Sequence, residues 1–211
     1  MPVLSYILTA LAAYLLGSFP TGFLVGKAKG VDIRTVGSKN MGATNVFRTV
    51  GKKLGIFVLL VDALKGWAAV ALISKLAPHL LSSTAPEDYL RITAGVSAIL
   101  GHNYTCWLQF KGGKGIATTA GVMAALVPWA LLIALAVFIL FFVATRFVSV
   151  GSIAAAAVLP FATWFTTHDV GLTAISTALG ALAIAKHKKN IQRLMDGTEN
   201  RIEFKKQEAA K

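Results

Sequence analysis

Apolar runs of roughly 18–20 residues recur along this chain, and a run of that length is what a helix needs to cross a bilayer. Hydrocarbon offers no hydrogen-bond partner to a bare backbone, so each run must close its own bonds as a helix. Composition agrees. The 211 residues are 55% hydrophobic and only 14% charged, with a mean hydropathy of +0.67. A soluble domain carries about 25% charged residues. The sequence therefore predicts an all-α integral membrane protein, one domain over 1–211 with a basic tail at 186–211. The opening "MPVLSYILTALAAYLLG" lacks a basic leader and reads as a first spanning helix rather than a cleaved signal.

Candidate helices fall at 4–26, 53–76, 91–108, 115–127, 129–146, 150–166 and 170–186. The stretch "IATTAGVMAALVPWALLIALAVFILFFVAT" reads either as one long helix kinked at Pro128 or as two short ones. Charge decides. Basic residues fill 27–53, 109–114, Arg146 and 186–211, whereas the connectors 77–90 and 166–169 hold Glu87, Asp88 and Asp169 and no Lys or Arg. Lys75 and Arg91 flank the first acidic connector. Seven spans put all four basic segments on one face; six would leave the basic tail outside, against the positive-inside rule. The expectation is seven transmembrane helices, N-terminus outside and C-terminus cytoplasmic, with a tight turn at Val127-Pro128-Trp129. Gly22, Gly26 and the Ala-rich 153–157 stretch are small enough for close helix contacts.

The formal net charge is +12. Because the basic residues lie between apolar runs rather than on one soluble face, nucleic acid is excluded as a partner. Membrane lipids with anionic headgroups and phosphorylated substrates remain. Cys106, the one cysteine, rules out an intramolecular disulfide and a thiolate metal cluster, and reads as a packing residue.

Four polar constellations stand out. Segment 27–53 holds seven basic residues and one acid, Asp32. Its core "GSKNMGATN" combines Gly residues that bare N–H groups with the side-chain donors of Ser38, Thr44 and Asn45. That is the composition of an anion nest, with a helix beginning near Gly42. Arg34 and Arg48 are candidates to grip phosphate oxygens in a bidentate way. The second constellation, "GHNYTCWLQFKGGKGIATTAG", places a flexible Gly-rich loop and two Lys before Thr118 and Thr119. It is not a nucleotide P-loop: Leu108 stands where that motif needs Gly, and Gly115 where it needs Ser or Thr. His102 is expected about two turns inside its helix, as a helix bridge or a site residue. The third is "ATRFVSVGS", with Arg146 and Ser149. The fourth is "KHKKNIQRLMDGTENRI", where helical continuation puts His187 and Asn190 on one face, with His187 as the candidate acid/base. Asp62 and Lys65, one turn apart inside an apolar helix, are expected to pair and support a polar cavity.

What is missing also constrains the chemistry. No pair of acids lies near the Gly-rich loops, and neither HExxH nor a His/Cys cluster occurs, so no metal and no cofactor is expected. The His-x-x-x-x-Asp motif of the common glycerolipid acyltransferases is absent: the fifth residue after each His is Thr84, Trp107, Thr173 or Gln192. Phosphate would have to be held by cations and amides.

The ordered set "GSFPTGFLVGK", "DIRTVGSKNMGATNVFR", "DALKG", "GHNYTCWLQFKGGKGIAT" and "KHKKNIQRLMDGTENRI", spanning 17–202, resembles the bacterial acyl-phosphate:glycerol-3-phosphate acyltransferases (PlsY). The resemblance implies a seven-helix inner-membrane enzyme, active site on the cytoplasmic face. It would move a fatty acyl group from acyl phosphate to position 1 of glycerol 3-phosphate, giving lysophosphatidic acid and phosphate. By the same resemblance Ser38, Asn40, Gly42, Ala43, Thr44 and Asn45, with Arg48, bind phosphate. Gly112, Gly113, Lys114 and Gly115 form a second motif with Lys114 as its cation. Ser149 is a polar site residue, and His187 and Asn190 lie near glycerol 3-phosphate. "NYTCW" after His102 departs from the apolar, Pro-containing stretch of relatives. Ser38, Asn45, Lys114 and His187 are the expected catalytic residues, the others substrate-binding.

An acyl phosphate is already activated, so direct transfer is expected, with a substrate phosphate or His187 as base. The alternatives are a transporter of phosphorylated small molecules, which predicts charges near the bilayer midplane and repeated halves, and a lipid-binding membrane protein. Polar motifs gathered on one face favour the enzyme.

Overall fold

A computed structural model describes residues 2–202; the end of the basic tail, 203–211, lies outside the described residues. All regular structure among them is helical. The chain divides into two compact units, Met1–Pro128 and Trp129–Lys211.

In the first unit, α1 (Pro2–Ser18) and α2 (Thr21–Ala28) replace the continuous first helix. Pro20, inside the quoted "GSFPTG", has no N–H and breaks the ladder. The carbonyls freed by the break find other donors: the Thr105 hydroxyl donates to Ser18 O at 2.6 Å and Lys65 Nζ to Phe19 O at 3.0 Å. A short α3 (Ala43–Thr49) leads to α4 (Lys52–Ala68), a π-helical stretch Ala69–Ile73 and α5 (Ser74–Leu80). Next come α6 (Glu87–Asn103), a single 3₁₀ turn Cys106–Leu108 and α7 (Ile116–Leu126). The helix expected to reach 108 stops at Asn103, so His102 sits in its last turn and not two turns inside. Tyr104 leaves helical geometry and the Thr105 hydroxyl turns away to Ser18. The expected turn at Val127-Pro128-Trp129 narrows to Val127, because Pro128 already opens the next helix, where a missing N–H costs nothing.

Glycines bring these helices together, but at positions other than those expected. Gly17 lies against the Ala98 backbone, Gly101 against Tyr14 and Ser18, and Gly121 against Ala63. Gly22 and Gly26 make room instead for the connector, meeting the Met41 carbonyl and the Ile33 side chain. Ile33, Met41, Val46 and Val58 then form a buried cluster beneath that connector. The unit buries polar groups among its apolar core residues and exposes large apolar ones. Ser5, Thr9, Thr21, Asp62, Lys65 and Ser74 are buried, while Phe57, Leu60 and Leu64 are exposed. That arrangement suits a lipid surround, where small and hydroxylated residues hold helices together.

The second unit contains α8 (Pro128–Thr145) from its second residue on, α9 (Val148–Thr167), α10 (Val170–Lys186) and α11 (Lys188–Met195). Gly180 meets the Ala156 carbonyl, using the Ala-rich stretch as expected, and Thr163 donates to the Ser176 hydroxyl at 2.9 Å.

Among the described residues, four helical segments are long and apolar enough to cross a membrane: Pro2–Ala28, Lys52–Leu80, Pro128–Thr145 and Val148–Thr167. Val170–Lys186 with Lys188–Met195 makes a fifth if that pair, bent by 52°, is one span. Helices α6, with 17 residues, and α7, with 11, stay below that length. Length and composition thus support four or five of the seven spans expected from charge.

Candidate active site

The connector "GSKNMGATN" is a folded loop, not an open nest. Asn45, only 2% exposed, uses its whole side-chain amide on it. Nδ2 donates to Ile33 O at 2.9 Å and Val36 O at 3.2 Å, while Oδ1 accepts the Ser38 N–H at 2.9 Å. Asn40 Oδ1 accepts the Gly42 N–H at 2.8 Å, and Gly42 caps α3 as expected. Ser38, Asn40, Gly42, Ala43, Thr44 and Arg48 are half-buried around this frame. Arg34 is committed elsewhere. Its Nε and Nη2 grip Asp32 at 2.9 and 2.7 Å, and its guanidinium lies 4.6 Å from the centre of the Phe23 ring. The Arg34 side chain holds the Asp32 carboxyl at about 2, below the ordinary 3.8, and the Arg34 pKa is raised by the same bond. A bidentate grip on substrate phosphate, expected for Arg34, is therefore taken by Asp32.

The Gly-rich loop after α6 is likewise fastened down. Gly112 N–H donates to Asn103 O at 3.2 Å and Gly113 N–H to His102 O at 3.0 Å. These two amides face the helix end, so the glycines serve close approach: a β-carbon on Gly113 would overlap the His102 ring. Gly115, at φ +82°, adopts the left-handed conformation that favours glycine, and a β-carbon there would sit 2.6 Å from Asn103 Oδ1. Lys114 is half-buried between them. Thr118 is fully buried against Gly66, while Thr119 closes the first turn of α7 onto the Gly115 carbonyl at 2.7 Å.

Beneath this loop lies the ion pair expected from sequence. Asp62 Oδ1 and Lys65 Nζ are 2.8 Å apart, with side chains 4% and 5% exposed. Thr21 donates to the same oxygen at 3.2 Å, and His102 Nδ1 stands 3.7 Å from it.

In the second unit, His187 marks the bend between α10 and α11, so the helix does not simply continue. The ring is buried and Nδ1 lies 2.7 Å from the Ala183 carbonyl. A carbonyl only accepts, so Nδ1 carries the proton, and in neutral imidazole Nε2 is the acceptor. Asn190 is buried one turn on.

Glu199 is the residue that sequence reasoning missed. Its side chain is 4% exposed and accepts from Ser149 Oγ at 3.0 Å, Asn190 Nδ2 at 2.7 Å and Arg193 Nε at 2.7 Å. Burial alone would raise its pKa, but hydrogen bonds from Asn190, Arg193 and Ser149 outweigh it and hold the carboxyl below its ordinary value. Gly197, at φ +68°, makes the return that brings Glu199 back over α11. The signal available in sequence was the Asp-Gly turn dipeptide at 196–197. Two expected site residues, Ser149 and Asn190, are thus gathered by one carboxylate. The chain after α11 continues to Ile202, whose N–H reaches the Arg146 carbonyl at 2.9 Å, so the start of the tail is folded.

Each unit thus carries buried polar groups that a packed apolar core does not need. The model of the family described as "Glycerol-3-phosphate acyltransferase" matches residues 7–197. A glycerol-3-phosphate acyltransferase of Geotalea daltonii is 47% identical over 196 residues, covering 93% of this chain and 97% of that one. Two crystal structures of PlsY (YgiH), an integral membrane glycerol 3-phosphate acyltransferase, cover 94% of this chain and 96% of theirs. They are a glycerol 3-phosphate form, with TM-score 0.83 at 37% identity, and a lysophosphatidic acid form, with TM-score 0.82 at 36% identity. Matched over more than nine-tenths of its length in sequence and in fold, this chain belongs to the glycerol-3-phosphate acyltransferase family.

Proposed function

We propose that this enzyme transfers a fatty acyl group from acyl phosphate to the 1-hydroxyl of glycerol 3-phosphate, giving 1-acyl-glycerol 3-phosphate and inorganic phosphate. The observation that carries the reading is the nearly full-length likeness to structures in a glycerol 3-phosphate form and a lysophosphatidic acid form, which are acceptor and acylated product of one reaction. Acyl phosphate as donor is supported by the chain's own chemistry. Two phosphate groups need cations and donors, and the two Gly-rich segments supply Arg48, Lys114, Ser38 and Thr44.

The hydroxyl oxygen of glycerol 3-phosphate attacks the acyl carbon. The bond from that carbon to the phosphate oxygen breaks, and the hydroxyl proton passes to a phosphate oxygen of the substrate. No covalent enzyme intermediate is required, because a mixed anhydride is already activated, so positioning and charge neutralisation suffice. Lys114 and Arg48 neutralise phosphate. Asn40, Gly42, Ala43 and Thr44 line the same loop, which Asn45 frames. Gly112, Gly113 and Gly115 seat Lys114. His187 positions glycerol 3-phosphate through Nε2, supported by Ser149 and Asn190. No metal enters the scheme.

The reading includes seven spans in a bacterial inner membrane, N-terminus outside and the site on the cytoplasmic face, supported by the distribution of Lys and Arg. Detergent-solubilised protein is expected to release phosphate from acyl phosphate only when glycerol 3-phosphate is added, and to be inactive with acyl-CoA. Turnover with acyl-CoA at an equal rate would overturn the donor assignment.

A further inference from the structure

The Asp62, Lys65 and His102 group lies inside the helices, yet it does not end there. His102 touches the Gly-rich loop with two different parts of itself. Its carbonyl oxygen accepts the Gly113 N–H at 3.0 Å, and its ring Nε2 lies where a Gly113 side chain would begin. The ring's other nitrogen, Nδ1, faces Asp62 Oδ1 at 3.7 Å. Asp62 is itself held by Lys65 at 2.8 Å and Thr21 at 3.2 Å, and Lys65 also donates to the Phe19 carbonyl at 3.0 Å. A small cleft opens at this group, lined by Asp62, Lys65, His102 and Thr21, and by Met41 from the other Gly-rich segment.

At 3.7 Å the carboxylate is an electrostatic neighbour of Nδ1 rather than a hydrogen-bond partner, and burial beneath Gly113 holds the ring in one orientation beside it. Here the fixed ring forms the floor under Gly113, and the next residue is Lys114. We propose that His102 is a positioning residue for the phosphate-binding loop: braced by the Asp62–Lys65 pair, it sets the height of Gly113 and so the place of the Lys114 ammonium. The inference rests on the reading of 112–115 as a phosphate site and adds a buried post beneath Gly113. It also accounts for an i,i+3 ion pair inside an apolar helix. Charges are costly there unless they face a functional interior.

The test uses the full chain in detergent. His102→Asn keeps a polar atom near the Nδ1 position but removes Nε2 from beneath Gly113; His102→Gln does the reverse. We expect His102→Asn to raise KM for glycerol 3-phosphate about tenfold with kcat within about threefold, and His102→Gln to recover most of that loss. Gly113→Ala is expected to raise KM also, and His102→Asn to relieve it, because the ring it collides with is gone. A structural role alone would lower the amount of folded enzyme and leave KM and that compensation unmoved. Wild-type KM in folded His102→Asn, or Gly113→Ala indifferent to position 102, overturns the inference. If the wild-type chain binds glycerol 3-phosphate but does not use acyl phosphate, the donor reading fails alone. The post is then judged from the rise in melting temperature that glycerol 3-phosphate produces: a smaller rise in His102→Asn supports it, and an equal rise overturns it. Absence of any rise in the wild type overturns both.

Discussion

Asp62 and Glu199 are both carboxylates whose side chains are 4% exposed, and each is met by donors on more than one segment. Their construction differs. The main partner of Asp62 is Lys65, one turn along the same helix, so the charge is neutralised locally before α2 and α6 add Thr21 and His102. Glu199 has its ion-pair partner, Arg193, on a helix it does not belong to. It reaches back from a turn to collect Ser149 from α9 and Asn190 and Arg193 from α11. A local pair can be exchanged as a unit. A gathered carboxylate is a fastening, and removing it releases several segments together.

The largest expected effect follows from that contrast. Glu199→Ala leaves Arg193, Asn190 and Ser149 without their acceptor, and breaking a buried ion pair from one side costs about 3–5 kcal/mol. Melting in detergent should fall steeply and activity with it; an unchanged melting temperature would erase the distinction. The same carboxyl sets a pH signature. Its folded pKa is depressed, so its stabilisation is present above the ordinary value of 4.5 and is lost as pH falls through the lower folded value. Wild type should therefore lose more melting temperature in acid than Glu199→Gln does.

Asp62→Ala should cost nearly as much, since Lys65 is left buried. Here, however, a rescue exists. Asp62→Leu combined with Lys65→Met should recover most of the stability, because replacing a buried pair by apolar residues is often neutral or better. Recovery of folding without recovery of KM would sharpen the comparison; failure to recover folding would break it. Asn45→Ala comes next, because the Ile33 and Val36 carbonyls and the Ser38 N–H lose one shared partner, at about 1–3 kcal/mol for a buried group left unsatisfied. His187→Ala is expected to raise KM for glycerol 3-phosphate about tenfold, roughly 1.4 kcal/mol, with kcat little changed. A collapse of kcat at saturating substrate would make His187 the base instead. The smallest effect belongs to Arg34→Ala, whose guanidinium is held by Asp32; its KM values should match the wild type.

Helix positions were legible because long apolar runs leave the backbone no other solution, and Val170–Lys186 falls where the hydropathy ends. Breaks inside a run were not. Pro20 lies within an apolar stretch that reads as continuous, and the early end of α6 depends on Thr105 finding a carbonyl in α1. In the site, residue types pointed to the right segments but not to who holds whom. Composition suggested bare amides at Gly42, Gly112 and Gly113, and tertiary folding gives each of them an acceptor. Arg34 reads as a phosphate ligand until Asp32, two residues away, is seen to fit both of its nitrogens. Glu199 was invisible because its partners lie up to fifty positions away, and only the left-handed turn at Gly197 brings them within reach.

The π-helical stretch at Ala69–Ile73 has a consequence for phase. An α-helix advances about 100° per residue, and a π-turn takes up one residue more than an α-turn. That surplus residue slips the second half of the helix, so that Ser74 and Ala77 are buried along with Asp62, Lys65 and Gly66. Deleting one residue from the stretch would turn everything beyond it about 100°. Ser74 would swing toward the lipid side, while the charged pair upstream kept its heading. The bulge is thus a phase corrector. It lets one long helix serve a charged interior at one end and a closely packed small-residue face at the other.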